Sequence, residues 1–97
     1  MRFTLNSKRW TFKRETIRRK LPGGRVVLGD CSSPDEKYRV VRVDSRIQGE
    51  EELDVILHEL LHAAAWDVLD ESFVDSTATG IARLLWRIGY RKVENPQ

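Results

Sequence analysis

Residues 55–66 read VILHELLHAAAW, and within them His58, Glu59 and His62 spell HELLH. These two histidines are the only ones in the chain. On an α-helix, positions i and i+4 project from one face a turn apart, so both imidazoles can address a single point. Two imidazoles at that spacing can ligate one Zn²⁺ at about 2.0–2.1 Å. Glu59 stands beside the pair, where a carboxylate can take a proton from water acidified by the ion. Shuffling a chain of this length and composition produces HExxH roughly 2 times in 1,000. The competing reading, two rungs of a buried helix, would leave both imidazoles in need of hydrogen-bond partners.

Outward from this stretch the pattern stays helical. Gly49 breaks the preceding segment, and Glu50, Glu51 and Glu52 occupy a first turn where the helix dipole favours carboxylates. From there to Trp66, Leu53, Leu57, Leu60 and Ala64 form an apolar stripe, with His58 and His62 roughly opposite. Val55, Ile56, Ala63 and Trp66 cover much of the rest, which predicts a helix buried nearly all round. After a short connection, Asp67 to Asp70, the last of these residues is a suitable N-cap for a second helix over 71–88. In it, Val74, Ile81, Leu85 and Ile88 line an apolar stripe. Glu71, Asp75, Ala78 and Ala82 form a neighbouring one, and Arg83 and Arg87 fall on the solvent side. Trp66 and Trp86 lie beside apolar stripes and are expected as core anchors. Gly89 ends the helix, and RKVENPQ reads as a fraying tail.

Upstream the period changes to that of strands. RWTFKRETI alternates and is rich in aromatic and β-branched residues, giving a strand near 9–17. A Pro-Gly-Gly turn leads into Val26, Val27 and Leu28, a short second strand, and CSSPDE reads as a loop. YRVVRVDSRI gives a third, with Val41 and Val43 on one face and Tyr38, Val40 and Arg42 on the other. The expectation is a single α+β domain over 1–97. A small, mostly antiparallel sheet of about three strands precedes an active-site helix and a supporting helix.

Composition narrows the function classes. At 97 residues, 40% hydrophobic and 33% charged, the chain reads as one soluble globular domain with a small core. The apolar run around LLHAAAW is too short and too charged to span a bilayer, so no membrane partner is expected. The N-terminus has no apolar segment of signal-peptide length and Cys31 has no second cysteine to pair with, which points to the cytoplasm. The net charge of +2 is unevenly spread. Residues 1–25 hold nine Lys or Arg against Glu15 alone, whereas residues 44–75 hold ten acids against Arg46. The acids therefore gather around the histidines, where a cation would sit. The basic end, with Phe3, Trp10 and Phe12 among its charges, reads either as a nucleic-acid contact or as the solvated outer face of a sheet.

Catalytic zinc takes three protein ligands and one open position. With no third histidine, the remaining ligand must be a carboxylate or Cys31. DESFVD, residues 70–75, offers Glu71 and Asp75 four apart on the next helix, with Asp70 a further choice. An acidic first helical turn favoured by the dipole would also account for this pair.

The HELLH and DESFVD stretches together resemble the gluzincin metallopeptidases, whose second helix carries an E-x-x-x-D pair. Carried over by position, the resemblance implies that Glu71 is the zinc ligand and that Asp75 orients a ligating histidine. Eight residues separate His62 from Glu71, which implies a minimal version with a tight interhelical turn. The metzincin pattern does not fit, since Ala65 stands at its glycine position and Val68 at its last ligand. SprT-like proteases are similar at HExxH but use a later histidine. Over about residues 50–89 the chain resembles small phage and bacterial proteins of the ImmA/IrrE metallopeptidase type. Their Glu leading into A-N-x-F-A becomes DSTATGIARLL here. The implied activity is zinc-dependent hydrolysis of a peptide or protein substrate, with Glu59 as general base and Tyr38 or Tyr90 available to an oxyanion. An edge strand such as KYRVVRV would align an extended peptide. The alternative is a non-catalytic module stapled by zinc, which binds nucleic acid or a protein through the basic N-terminal region.

Overall fold

In the computed structural model, which describes residues 1–93, the chain begins with a hairpin. Asn6 and Ser7 both take positive φ, 50° and 66°, and turn β1 (Arg2–Leu5) back onto β2 (Lys8–Glu15). Such a two-residue turn matches the twist of the strands it joins. β2 then pairs in parallel with β4 (Val40–Asp44), and β3 (Gly29–Cys31) lies antiparallel on the far side of β4. The order is β1-β2-β4-β3. The protein is α+β, and two of the three strand pairings are antiparallel, but the sheet has four strands and the β2–β4 pairing makes it mixed.

Two strand expectations move as a result. Val26, Val27 and Leu28 form no strand, because the chain doubles back through Gly23 and Gly24 (φ 87° and 81°). That turn spends Val26 on an isolated bridge to Lys20. Regular pairing starts just afterwards, where Leu28 O accepts from Asp44 N at 2.8 Å, and Cys31 is the last residue of β3, not part of a loop. β4 starts beyond Tyr38 and is interior, so KYRVVRV is not an edge. The open edge nearest the helices is β3.

Alternation along β2 and β4 sends Trp10, Val41 and Val43 towards the helices. Trp10 is 2% exposed, stacks on Phe3 with ring centroids 6.4 Å apart, and packs with Val41, Ala63 and Leu60. It is the aromatic anchor of the core. Trp66 is instead largely at the surface, and Trp86 is capped by the Arg91 guanidinium 3.5 Å from its ring. Neither belongs to the buried cluster around Trp10.

Between β4 and the first helix, the buried carboxylate of Asp44 gathers the chain. It accepts from Ile17 N at 3.1 Å, from Arg46 N at 2.8 Å and from the Arg46 guanidinium at 2.7 and 2.8 Å. Helix α1 (Gly49–Ala64) follows, and its buried Glu52 pairs with Arg14 of β2 at 2.8 Å. α1 stops before Trp66 because the chain turns at Asp67, which has φ 62°. Its buried residues are Glu52, Glu59 and Ala63, while Glu51 and Ala64 are exposed and the others half-buried, so it is not enclosed all round. The sheet covers one side and α2 (Glu71–Arg87) another.

The Asp70 carboxylate caps α2, accepting from Phe73 N at 2.7 Å. α2 packs on α1 through the small-residue row Val74, Ala78 and Ala82. Small side chains let the helix axes approach, and they displace the expected Ile81 and Ile88 from the contact; both are exposed. The expected tail is described only as far as Val93; its residues 94–97 lie outside the described residues. No described helix is long and apolar enough to cross a membrane.

Candidate metal centre

α1 and α2 run antiparallel, and their facing polar side chains form a ladder with one rung per turn. Thr79 Oγ1 donates to Asp54 Oδ2 at 2.8 Å, His58 Nδ1 lies 3.1 Å from Asp75 Oδ1, and His62 Nε2 lies 2.9 Å from Glu71 Oε2. The residue numbers of every rung sum to 133. The i, i+4 spacing of 54, 58 and 62 on one helix meets that of 71, 75 and 79 on the other, so the helix register is set by polar pairs. The tight connection and the Asp70 cap start α2 early enough for Glu71 to reach the histidines.

At the upper rungs the donors converge. Glu71 Oε1 is 2.9 Å from His58 Nε2, and the two histidine Nε2 atoms are 3.2 Å apart. His58, His62 and Glu71 form a group that could hold a metal ion, with one donor atom from each within 4.8 Å of the others. Two nitrogens bound tetrahedrally at zinc distances stand about 3.3 Å apart, close to the spacing seen. A neutral imidazole has one ring proton. If Asp75 takes it at His58 Nδ1, His58 Nε2 presents a lone pair to the Glu71 carboxylate. Two acceptors face each other at hydrogen-bond distance only with positive charge between them, from a second proton or from a metal ion. The nitrogen and oxygen donor set suits a borderline divalent ion.

The group opens onto a cleft of about 770 Å³ between α1, β3, the segment 19–28 and the start of α2. On its floor Glu59 is buried beside the Cys31 thiol and lies against β3. Burial, together with the negative charges of Asp30 and Glu71, raises its carboxyl to about 7. The Cys31 thiol and the Arg19 charge act in the opposite direction. Burial and the neighbouring Glu59 and Asp30 push the Cys31 thiol up to about 12, so it stays neutral.

No protein-family model, curated protein or solved structure matches the chain. The donors His58, His62 and Glu71 come together, Asp75 sits behind His58, and Glu59 lies on the cleft floor. Asp70 caps its helix. Tyr38 and Tyr90 are exposed and do not line the cleft.

Three residues of the site carry no local sequence signal. Gly29 lets β3 lie against α1, since a Cβ there would stand 2.7 Å from Val55 Cγ1 and 3.0 Å from Glu59 Cγ. Asp30 charges the cleft wall, and Arg19 lines it with Nη2 3.7 Å from Asp30 Oδ2. The only advance hint was a glycine and an acid beside the lone cysteine. The basic N-terminal stretch is divided by the fold: Arg14 turns inward to Glu52 and Arg19 lines the cleft, while Arg9 and Lys13 alternate onto the outer sheet face.

Proposed function

We propose that this protein is a zinc-dependent metallopeptidase with a minimal zincin-like fold. The observation that carries the reading is the Glu71 carboxylate, 2.9 Å from both histidine Nε2 atoms, beside a buried Glu59 in an open cleft. His58, His62 and Glu71 would hold the ion, and Asp75 would fix the ring of His58 through Nδ1. Bound there, Zn²⁺ supplies a Lewis acid for a substrate carbonyl and acidifies water. Glu59 takes the proton of the attacking water and delivers it to the leaving amine. Arg19 and Arg25 are the cations lining the cleft and available to charge that develops on the substrate.

Substrate alignment falls to β3. Leu28 O and Ser32 N bond to β4 at Asp44 N and Val40 O, so by alternation Gly29 and Cys31 turn their backbone groups to the open edge. An extended peptide added at that edge would run past Glu59. The exposed positions of Glu71 and Asp75 also favour catalysis over a purely structural staple, in which four protein donors close the ion off.

Metal analysis together with cleavage of a peptide library tests the reading, for wild type, Glu59→Gln and His58→Ala. Glu59→Gln keeps stoichiometric zinc and loses turnover, whereas His58→Ala loses both. Full zinc occupancy with no cleavage would favour the staple, and absence of bound metal from every preparation would remove the site.

A further inference from the structure

α2 carries a second apolar row left exposed among the described residues. Phe73, Thr77, Gly80, Ile81, Leu84 and Ile88 recur at intervals of three and four and so share one side of the helix. Phe73 is 49% exposed, Ile81 39%, Leu84 58% and Ile88 61%. Four large apolar side chains in one continuous row exceed the scattered exposure that needs no explanation. The cause is architectural: α1 makes the sheet contacts, and α2 turns towards α1 the buried row Val74, Ala78 and Ala82 and the polar ladder beside it. At about 100° per residue, the uncovered row lies on the order of 140° around α2 from Glu71 and Asp75. A body docked on it leaves the metal cleft open.

The row is self-complementary. About a point between Gly80 and Ile81 its positions mirror one another, so that Phe73 answers Ile88, Leu84 answers the smaller Thr77, and Ile81 answers Gly80. A second copy laid antiparallel about a two-fold axis at that point sets each large side chain against a partner at the mirrored position. Ile81 then enters the space above Gly80 of the other copy, where a Cβ would meet nothing within 4 Å. The charges agree, because α2 is capped by Asp70 and ends with Arg87. Antiparallel pairing brings the acidic start of each helix to the basic end of the other and opposes their dipoles.

We propose that the protein forms a two-fold symmetric dimer through the Phe73–Ile88 face of α2, with both metal clefts open on the outside. A contact of this kind is isologous and closes at two copies.

Sedimentation equilibrium on the full chain tests this, with Ile81→Glu, Leu84→Glu and, as a control on the sheet, Lys13→Glu. Wild type and Lys13→Glu are expected to sediment at twice the 11.3 kDa chain mass. A charge at Ile81 or Leu84, near the axis, weakens the dimer by about 100-fold or more. Far-UV circular dichroism checks that each variant is folded. A second arm survives a folding defect in those variants. Ile81→Cys in a Cys31→Ser background forms an interchain disulfide under mild oxidation, whereas Ser72→Cys, off the row, does not. A monomeric wild type, a dimer indifferent to both charges, or assembly beyond two copies would each overturn the proposal.

Discussion

Asp75 stands behind His58, its Oδ1 3.1 Å from Nδ1, while His58 Nε2 points the other way, to Glu71. One imidazole thus joins two carboxylates of the same helix, one turn apart, in different roles. Removing the carboxylate behind the ring is expected to lower zinc affinity about 10–100-fold without changing the number of ligands. Removing Glu71 takes away a donor, and Glu71→Ala should weaken binding more than Asp75→Ala. Competition titrations with a chromophoric chelator measure both. The reverse order would assign the coordinating carboxylate to Asp75.

Because three donors from two helices share one point, the ion should also stabilise the fold. A ligand that binds only the folded state at 100 times its Kd contributes about 2.7 kcal/mol. In a domain this small, that corresponds to a rise in Tm on the order of 10 °C. Chelation should remove the rise, and His62→Ala should abolish the response to added zinc. The core around Trp10 and Val41 lies on the sheet side of α1, so the metal-free chain should keep its far-UV spectrum. Global unfolding on chelation would instead make the ion a condition of folding.

Much of the donor set was legible because helical spacing is a local property. His58 with His62, and Glu71 with Asp75, are each i, i+4 pairs whose shared face follows from the backbone alone. Which carboxylate meets which nitrogen was not legible, since it depends on the register between two helices. The Asp54–Thr79, His58–Asp75 and His62–Glu71 rungs settle that register only in three dimensions. β3 was hidden for another reason. Gly29 and Asp30 have poor strand propensity, and the strand is held by Asp30 pairing with Arg42 and by Leu28 bonding to Asp44. The parallel β2–β4 pairing leaves no mark in either segment. Trp10 and Trp66 look alike in sequence, and only Trp10 joins the buried cluster with Val41 and Ala63.

Asp44 makes the acid limit of stability predictable. Hydrogen bonds from the Arg46 side chain, then from the Arg46 and Ile17 backbone N–H groups, hold its carboxyl well below the usual carboxylate range, against the cost of burial. The folded state therefore binds fewer protons in acid than the unfolded chain, whose carboxyl titrates near about 3.9. With the folded value depressed, the stabilisation is fully present above that unfolded pKa and drains away as pH falls below it. Wild type should lose stability between about pH 5 and pH 3 more steeply than Asp44→Asn. The variant starts from a lower stability at neutral pH, because Ile17 N and Arg46 lose a charged acceptor. Urea unfolding as a function of pH reads both quantities, and equal acid slopes would contradict the assignment.

Gly29 connects the sheet to the chemistry. An added Cβ would stand 2.7 Å from Val55 Cγ1 and 3.1 Å from Arg42 O, and the backbone oxygen cannot yield as a side chain does. Gly29→Ala should therefore push β3 away from α1, at a cost of about 1–3 kcal/mol typical of an overpacked contact. The third close neighbour is Glu59 Cγ at 3.0 Å, so the same displacement disturbs the proposed base while His58, His62 and Glu71 stay on their helices. The expected result is near-normal zinc affinity, a lowered Tm and a clear fall in kcat/KM. Pairing Gly29→Ala with Val55→Ala separates the causes. The smaller side chain removes the shortest contact, and recovery of both stability and turnover would show that the glycine serves the approach of β3 to the helix. Recovery of Tm without turnover would place its contribution in the backbone edge that the substrate is proposed to use.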